Sequence, residues 1–110
     1  MRKLFLILSL SLLVMALGSS ASMAETKLDA SIFSYDGKDF VRTETTLMQD
    51  GQSAVGTKLD HESAAYKALV EKHAYVGPAT VFGHSYQADY APLLGADGKL
   101  AGALFVGVQK

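Results

Sequence analysis

The period of hydrophobic and polar positions changes three times along the chain. Residues 4–17 are apolar except for Ser9 and Ser11. From Ala30 onward the pattern shortens to alternation. The segments "ASIFS" (30–34) and "KDFVRTETTLM" (38–48) predict two strands joined through Asp36-Gly37, because Gly takes positive φ freely and Asp tolerates it. Strict alternation in the second strand places Val41, Thr43, Thr45 and Leu47 on one face and Phe40, Arg42, Glu44 and Thr46 on the other. A further Asp-Gly pair, Asp50-Gly51, marks a turn.

The period lengthens in "GTKLDHESAAYKALVEKHAY" (56–75), where Ala65, Tyr66, Leu69 and Val70 recur at helical spacing. Asp60 is the expected N-cap, Glu62 suits the first turn, and the helix should end near Lys72 or His73. The remainder returns to strands: "AYVGPATVFG" (74–83), "SYQADYAPLL" (85–94) and "LAGALFVGV" (100–108), separated at Gly83-His84 and at Gly95-Ala-Asp-Gly98. Pro78 cannot donate to a ladder, so its strand should lie at an edge or carry a bulge. The last strand is apolar on both faces, with Gly102, Leu104, Val106 and Val108 on one and Phe105 on the other, as a central strand would be. The order β-β-α-β-β-β predicts an α+β, PAS-like domain: a five-stranded antiparallel sheet with one main helix.

The first apolar run changes the picture of compartment. Arg2 and Lys3 precede it, Gly18-Ser19-Ser20 breaks it, and Ser22-Met23-Ala24 supplies small residues before Glu25. These features predict a signal peptide over residues 1–24, cleaved after Ala24. The run is shorter than the roughly 20 residues that span a bilayer. Residues 25–110 then form a single domain in the periplasm or outside the cell. Without Arg2 and Lys3 the chain keeps 8 basic residues against 11 acidic, a net charge near −3. With no basic cluster, nucleic acid is not an expected partner. Cysteine is absent, which removes thiol catalysis, thiolate zinc sites and disulfides, so the fold must rely on its core or on a partner.

The ordered set Phe40-Val41-Arg42, Asp50-Gly51, Ala54-Val55-Gly56-Thr57, Ala65-Tyr66, Ala79-Thr80, Phe82-Gly83, Pro92-Leu93, Asp97-Gly98-Lys99 and Leu104-Phe105-Val106-Gly107 resembles the Cache family, in particular the type 3/type 2 fusion modules. These are PAS-like extracytoplasmic sensing domains of chemotaxis receptors and sensor kinases. The resemblance implies binding of a small organic ligand, often a carboxylate or amine, and no enzymatic activity or cofactor. Such domains usually carry a long helix before the first strand and a transmembrane helix after the last. Here only Glu25–Ala30 precedes the first strand and Gln109-Lys110 follows the last. The expectation is therefore a standalone exported module, read by a separate membrane receptor or acting as a homodimer. The alternative is an interaction module with no ligand, associating through a sheet face left bare.

Within this frame the candidate ligand-binding residues are Arg42, Tyr66, Tyr75, His84, Tyr86 and Tyr90. Arg42 lies mid-strand, where a guanidinium is costly to bury unpaired and its planar fork suits a carboxylate. A pair with Glu44 or Asp39 is the competing use. Tyr86 and Tyr90 share a strand face, and Tyr66 belongs to the helix stripe expected to cover it, so the tyrosines predict an aromatic wall with hydroxyl tips. His84 sits at a turn beside Tyr86. The spacing of His61, His73 and His84 fits no metal-ligand pattern, so no metal is expected. "GHSYQ" is no nucleophile elbow, and "GADGKLAG" lacks the ending of a phosphate loop.

Overall fold

The computed structural model describes residues 27–110. The expected signal peptide and its cleavage site lie outside the described residues. The elements are β1 (Leu28–Tyr35), β2 (Phe40–Thr45), β3 (Met48–Gln49), β4 (Gln52–Ser53), α1 (Ala64–Leu69), β5 (Tyr75–Val81), β6 (His84–Leu94) and β7 (Leu100–Gln109). Five strands form one antiparallel sheet in the order β2-β1-β7-β6-β5, and β3 and β4 make a separate two-residue ladder. This is the α+β plan expected, with β7 central and the Pro78 strand at an edge. The β3–β4 hairpin is an addition, and it turns through Asp50 and Gly51 at φ +53 and +80. No helix among the described residues is long and apolar enough to cross a membrane.

Alternation in β2 breaks at Thr43. Phe33 pairs with Arg42 but Ile32 pairs with Glu44, so one residue is bulged out. The bulge moves Thr45 and Leu47 to the face that carries Phe40 and Arg42, which corrects the strict alternation predicted for this strand. As a result Ser31 and Thr45 hydroxyls meet at 2.7 Å beside Arg42, and Leu47 enters the core.

The helix is shorter at its start than expected. Ser63, not Asp60, is the N-cap, its hydroxyl accepting from the Tyr66 N–H at 3.0 Å. Asp60 is used one turn earlier, its carboxylate accepting from the Glu62 N–H and its carbonyl from the Ser63 N–H. At the other end Lys72 turns left-handed at φ +66. The His73 N–H then donates to the Ala68 carbonyl and the Lys72 N–H to that of Leu69, a closure that follows a helix already ended at Leu69, short of the Lys72 or His73 expected.

One face of the sheet carries the core. Phe33, Phe40, Tyr86, Tyr90, Ala103 and Phe105 are buried there beneath Leu59, Ala65 and Leu69. Gly102 packs closely against β1, since a Cβ there would overlap the Phe33 carbonyl. The outer edge of β2 is covered by residues 56–59. The Arg42 N–H donates to the Thr57 carbonyl, the Gly56 N–H to that of Arg42, and the Leu59 N–H to that of Phe40. That pairing brings Thr57 beside the Arg42 side chain. The opposite face of β1 and β7 carries Ile32, Leu104, Val106 and Val108, with Ile32 and Val108 exposed.

Candidate functional site

A cleft of about 470 Å³ lies between the core face of the sheet and the segment that leads into α1. Arg42 of β2 forms its charged wall. Tyr75 and Ala79 of β5, Phe82 and Tyr90 line the sheet side, and Lys58, Asp60 and Ser63 line the loop side.

Arg42 is only 3 % exposed. Its Nη1 donates to Thr57 Oγ1 at 3.0 Å and its Nε to Ser31 Oγ at 3.4 Å. Both acceptors are themselves fixed: Thr57 donates to the Ala54 carbonyl at 2.6 Å and Ser31 lies against Thr45. The guanidinium also lies over the rings of Phe33 and Phe82, 4.7 and 5.1 Å from their centroids, a favourable cation–π arrangement. Among the described residues no carboxylate lies within ion-pair distance of Arg42. Asp39 is used by His61 at 2.6 Å and Lys58 at 3.5 Å, and Glu44 sits exposed opposite Ile32. Burial pushes the Arg42 pKa below the ordinary arginine value, with Tyr90 opposing. Arginine keeps its charge in proteins, so the cleft holds a buried cation with no carboxylate counterion among the described residues.

Tyr90 supplies the second polar group. It is 2 % exposed and lines the cleft, and its hydroxyl bonds to no described residue. Burial first pushes its pKa up to about 12, with Arg42 opposing, so the hydroxyl is protonated near neutral pH and able to donate. Tyr75 packs 6.3 Å from Tyr90 and folds back along its own strand, its hydroxyl donating to the Pro78 carbonyl at 2.6 Å.

Three of the six candidates, Arg42, Tyr75 and Tyr90, therefore meet at one cleft. The other three stand elsewhere. Tyr86 faces the core but donates to Asp29 Oδ2 at 2.7 Å. Tyr66 donates to the Lys38 carbonyl at 2.7 Å and stacks on His61 with ring centroids 4.2 Å apart. His84 is exposed in β6, beside Gln109. The turn expected at Gly83-His84 is Phe82-Gly83 instead, with Val81 and His84 as the last pair. Sequence reasoning missed Phe82, Thr57 and Ser63. Of these only Phe82 left a signal, a bulky residue before Gly between two strands.

The His61–Asp39 pair has a structural use. Asp39 is buried in the β1–β2 turn, and His61 follows Asp60 in the loop that roofs the cleft. Their contact ties that loop to the sheet.

A family model, the Cache 3/Cache 2 fusion domain, matches residues 22–110. No curated protein matches the chain, and neither does any solved structure.

Proposed function

The chain belongs to the Cache 3/Cache 2 fusion domain family, whose domains are extracytoplasmic, sensory and commonly bind small ligands, and from that premise we propose that it senses a small carboxylate through Arg42. One observation carries the reading: a buried guanidinium with no carboxylate partner among the described residues opens onto a cleft. A buried charge is costly unless paired, and a bound carboxylate supplies the pair. Nε and one Nη1 hydrogen are already engaged, so the ligand accepts from Nη2 and the remaining Nη1 hydrogen, with the Tyr90 hydroxyl donating to the same group. Tyr75 and Ala79 pack against its apolar body. Asp60, at the loop side, gives an amino acid's ammonium a place to settle. The exported domain presents this ligand state to a membrane-borne signalling partner.

Thermal melts test the reading. The protein is melted with acetate, propionate, pyruvate, succinate, glycine and small amines. A ligand at a hundred times its Kd adds about 2.7 kcal/mol, several degrees for a domain of this size. The reading expects shifts with carboxylates that vanish in Arg42→Gln.

A second reading rests on the opposite sheet face. Ile32 and Val108 there are 43 % and 40 % exposed, next to Leu104 and Val106. An apolar band of this kind supports a homodimer packed sheet to sheet. Sedimentation equilibrium of the wild type against Val106→Lys separates the two: a dimer lost in the variant, together with a flat ligand panel, favours this reading.

A further inference from the structure

The two rings against Arg42 are held in different ways. Phe33 is an ordinary core residue of β1, 2 % exposed. Phe82 is half-buried in the two-residue turn between β5 and β6, at φ +50, followed by Gly83 at φ +83. Positive φ at both positions is the geometry that Asn-Gly satisfies, and a bulky side chain at the first position is a steric outlier. The turn therefore holds a residue that its own backbone disfavours. Nor is the contact with Arg42 a local one. β2 and β5 are the two edges of the sheet, about 19 Å apart across four flat interstrand spacings. Only because the sheet curls do the tip of one edge hairpin and a side chain of the other edge meet, at 5.1 Å.

We infer that Phe82 is a specificity-determining residue of the Arg42 cleft, walling the guanidinium so that only slim, flat carboxylates reach its free donors. The inference rests on the reading of Arg42 as the ligand's anchor. With rings against the guanidinium face, the remaining hydrogens are offered in its plane. Phe82 and Arg42 line the same cleft, so a carboxylate that reaches those hydrogens does so beside the Phe82 ring. Acetate or propionate fits past it, whereas a carboxylate branched at its α-carbon collides. The ring also keeps water from the donors, which strengthens a charge-assisted hydrogen bond. Strained residues persist where the surroundings or the function hold them, and here the ring's position at the cleft is what the strain secures.

The test compares the wild type with Phe82→Asn and Phe82→Gly, both of which suit the turn, so that a folded variant is available. The first arm needs no ligand. Arg42 is the single arginine among the described residues, and its rate of modification by phenylglyoxal is read by peptide mass mapping. Removal of the ring should raise that rate several-fold. The second arm titrates acetate, propionate and pivalate, following protection of Arg42. The wild type should prefer acetate or propionate over pivalate by about tenfold or more, and the variants should lose most of that preference. An unchanged modification rate overturns the inference, as does unchanged selectivity in a variant that binds. If no carboxylate protects Arg42 in any of the proteins, the anchor reading fails, while the modification rates still decide whether Phe82 walls the guanidinium.

Discussion

Thr57 accepts a hydrogen bond from Arg42 Nη1 at 3.0 Å while donating its own proton to the Ala54 carbonyl at 2.6 Å. One hydroxyl thus ties the buried cation to the segment that covers the outer edge of β2. Thr57→Val keeps the shape and removes both bonds. It should cost about 1–3 kcal/mol in denaturant unfolding and weaken carboxylate binding, because the guanidinium loses a fixed plane.

Arg42 itself should behave in the opposite way. Its hydroxyl partners keep other bonds when it is removed, since Thr57 retains Ala54 and Ser31 retains Thr45. Replacing an uncompensated buried charge with an apolar chain of similar reach is often neutral or stabilising. Arg42→Met should therefore melt within about 1 kcal/mol of the wild type, or above it, yet bind no carboxylate. A large loss of stability would make Arg42 a structural residue.

Two tyrosines four residues apart separate stability from binding. The Tyr86 hydroxyl donates to Asp29, so Tyr86→Phe should cost about 1 kcal/mol and leave ligand affinity unchanged. The Tyr90 hydroxyl has no partner among the described residues. Tyr90→Phe should leave the melt where it is and weaken ligand binding. Chemical unfolding and titration of both variants check the contrast.

Stability should fall in acid. Backbone N–H groups of Asp39 and Lys38 hold the Asp36 pKa below its ordinary 3.8, and the His61 bond holds Asp39 below it too, with Lys58 assisting. Folded carboxyls that titrate lower than unfolded ones mean that the unfolded chain binds more protons at low pH, so stability rises with pH. The contribution is fully present above the unfolded value and is lost as the pH falls through the lower folded values. Asp39→Asn should flatten the dependence of Tm on pH below about pH 4.

Gly102→Ala should disrupt the β1–β7 pair. The added methyl overlaps the Phe33 carbonyl across the β1–β7 pair, so backbone rather than a side chain must yield. A loss of about 2 kcal/mol or more is expected by thermal or denaturant unfolding.

Much of the architecture was legible in the sequence because turn chemistry is local. Asp36-Gly37, Asp50-Gly51 and Asp97-Gly98 all sit at strand reversals, Pro78 marks an edge, and β7, apolar on both faces, is central. The misplaced details each have a nonlocal or competing cause. The Thr43 bulge is set by pairing with β1, and no alternation within β2 could show it. Asp60 resembles an N-cap, but its oxygens are consumed one turn before the helix, leaving Ser63 to cap it.

The site was half legible for a related reason. Period-two spacing correctly puts Tyr86 and Tyr90 on one face, but four residues of strand separate them by about 13 Å. A shared face is therefore not a shared pocket. Arg42 could be singled out from the cost of burying it, whereas its contact with Phe82 required the curl of a five-stranded sheet.

The central claim is that the Arg42 guanidinium is held ready for an anionic ligand. Calorimetric titration tests it most directly, with acetate and propionate set against the uncharged acetamide and propionamide, using the wild type and Arg42→Gln. The account predicts saturable binding of a carboxylate by the wild type, none of its amide, and none of either by the variant. Equal binding of a carboxylate by Arg42→Gln, or binding of the amide as tightly as the acid, would contradict it.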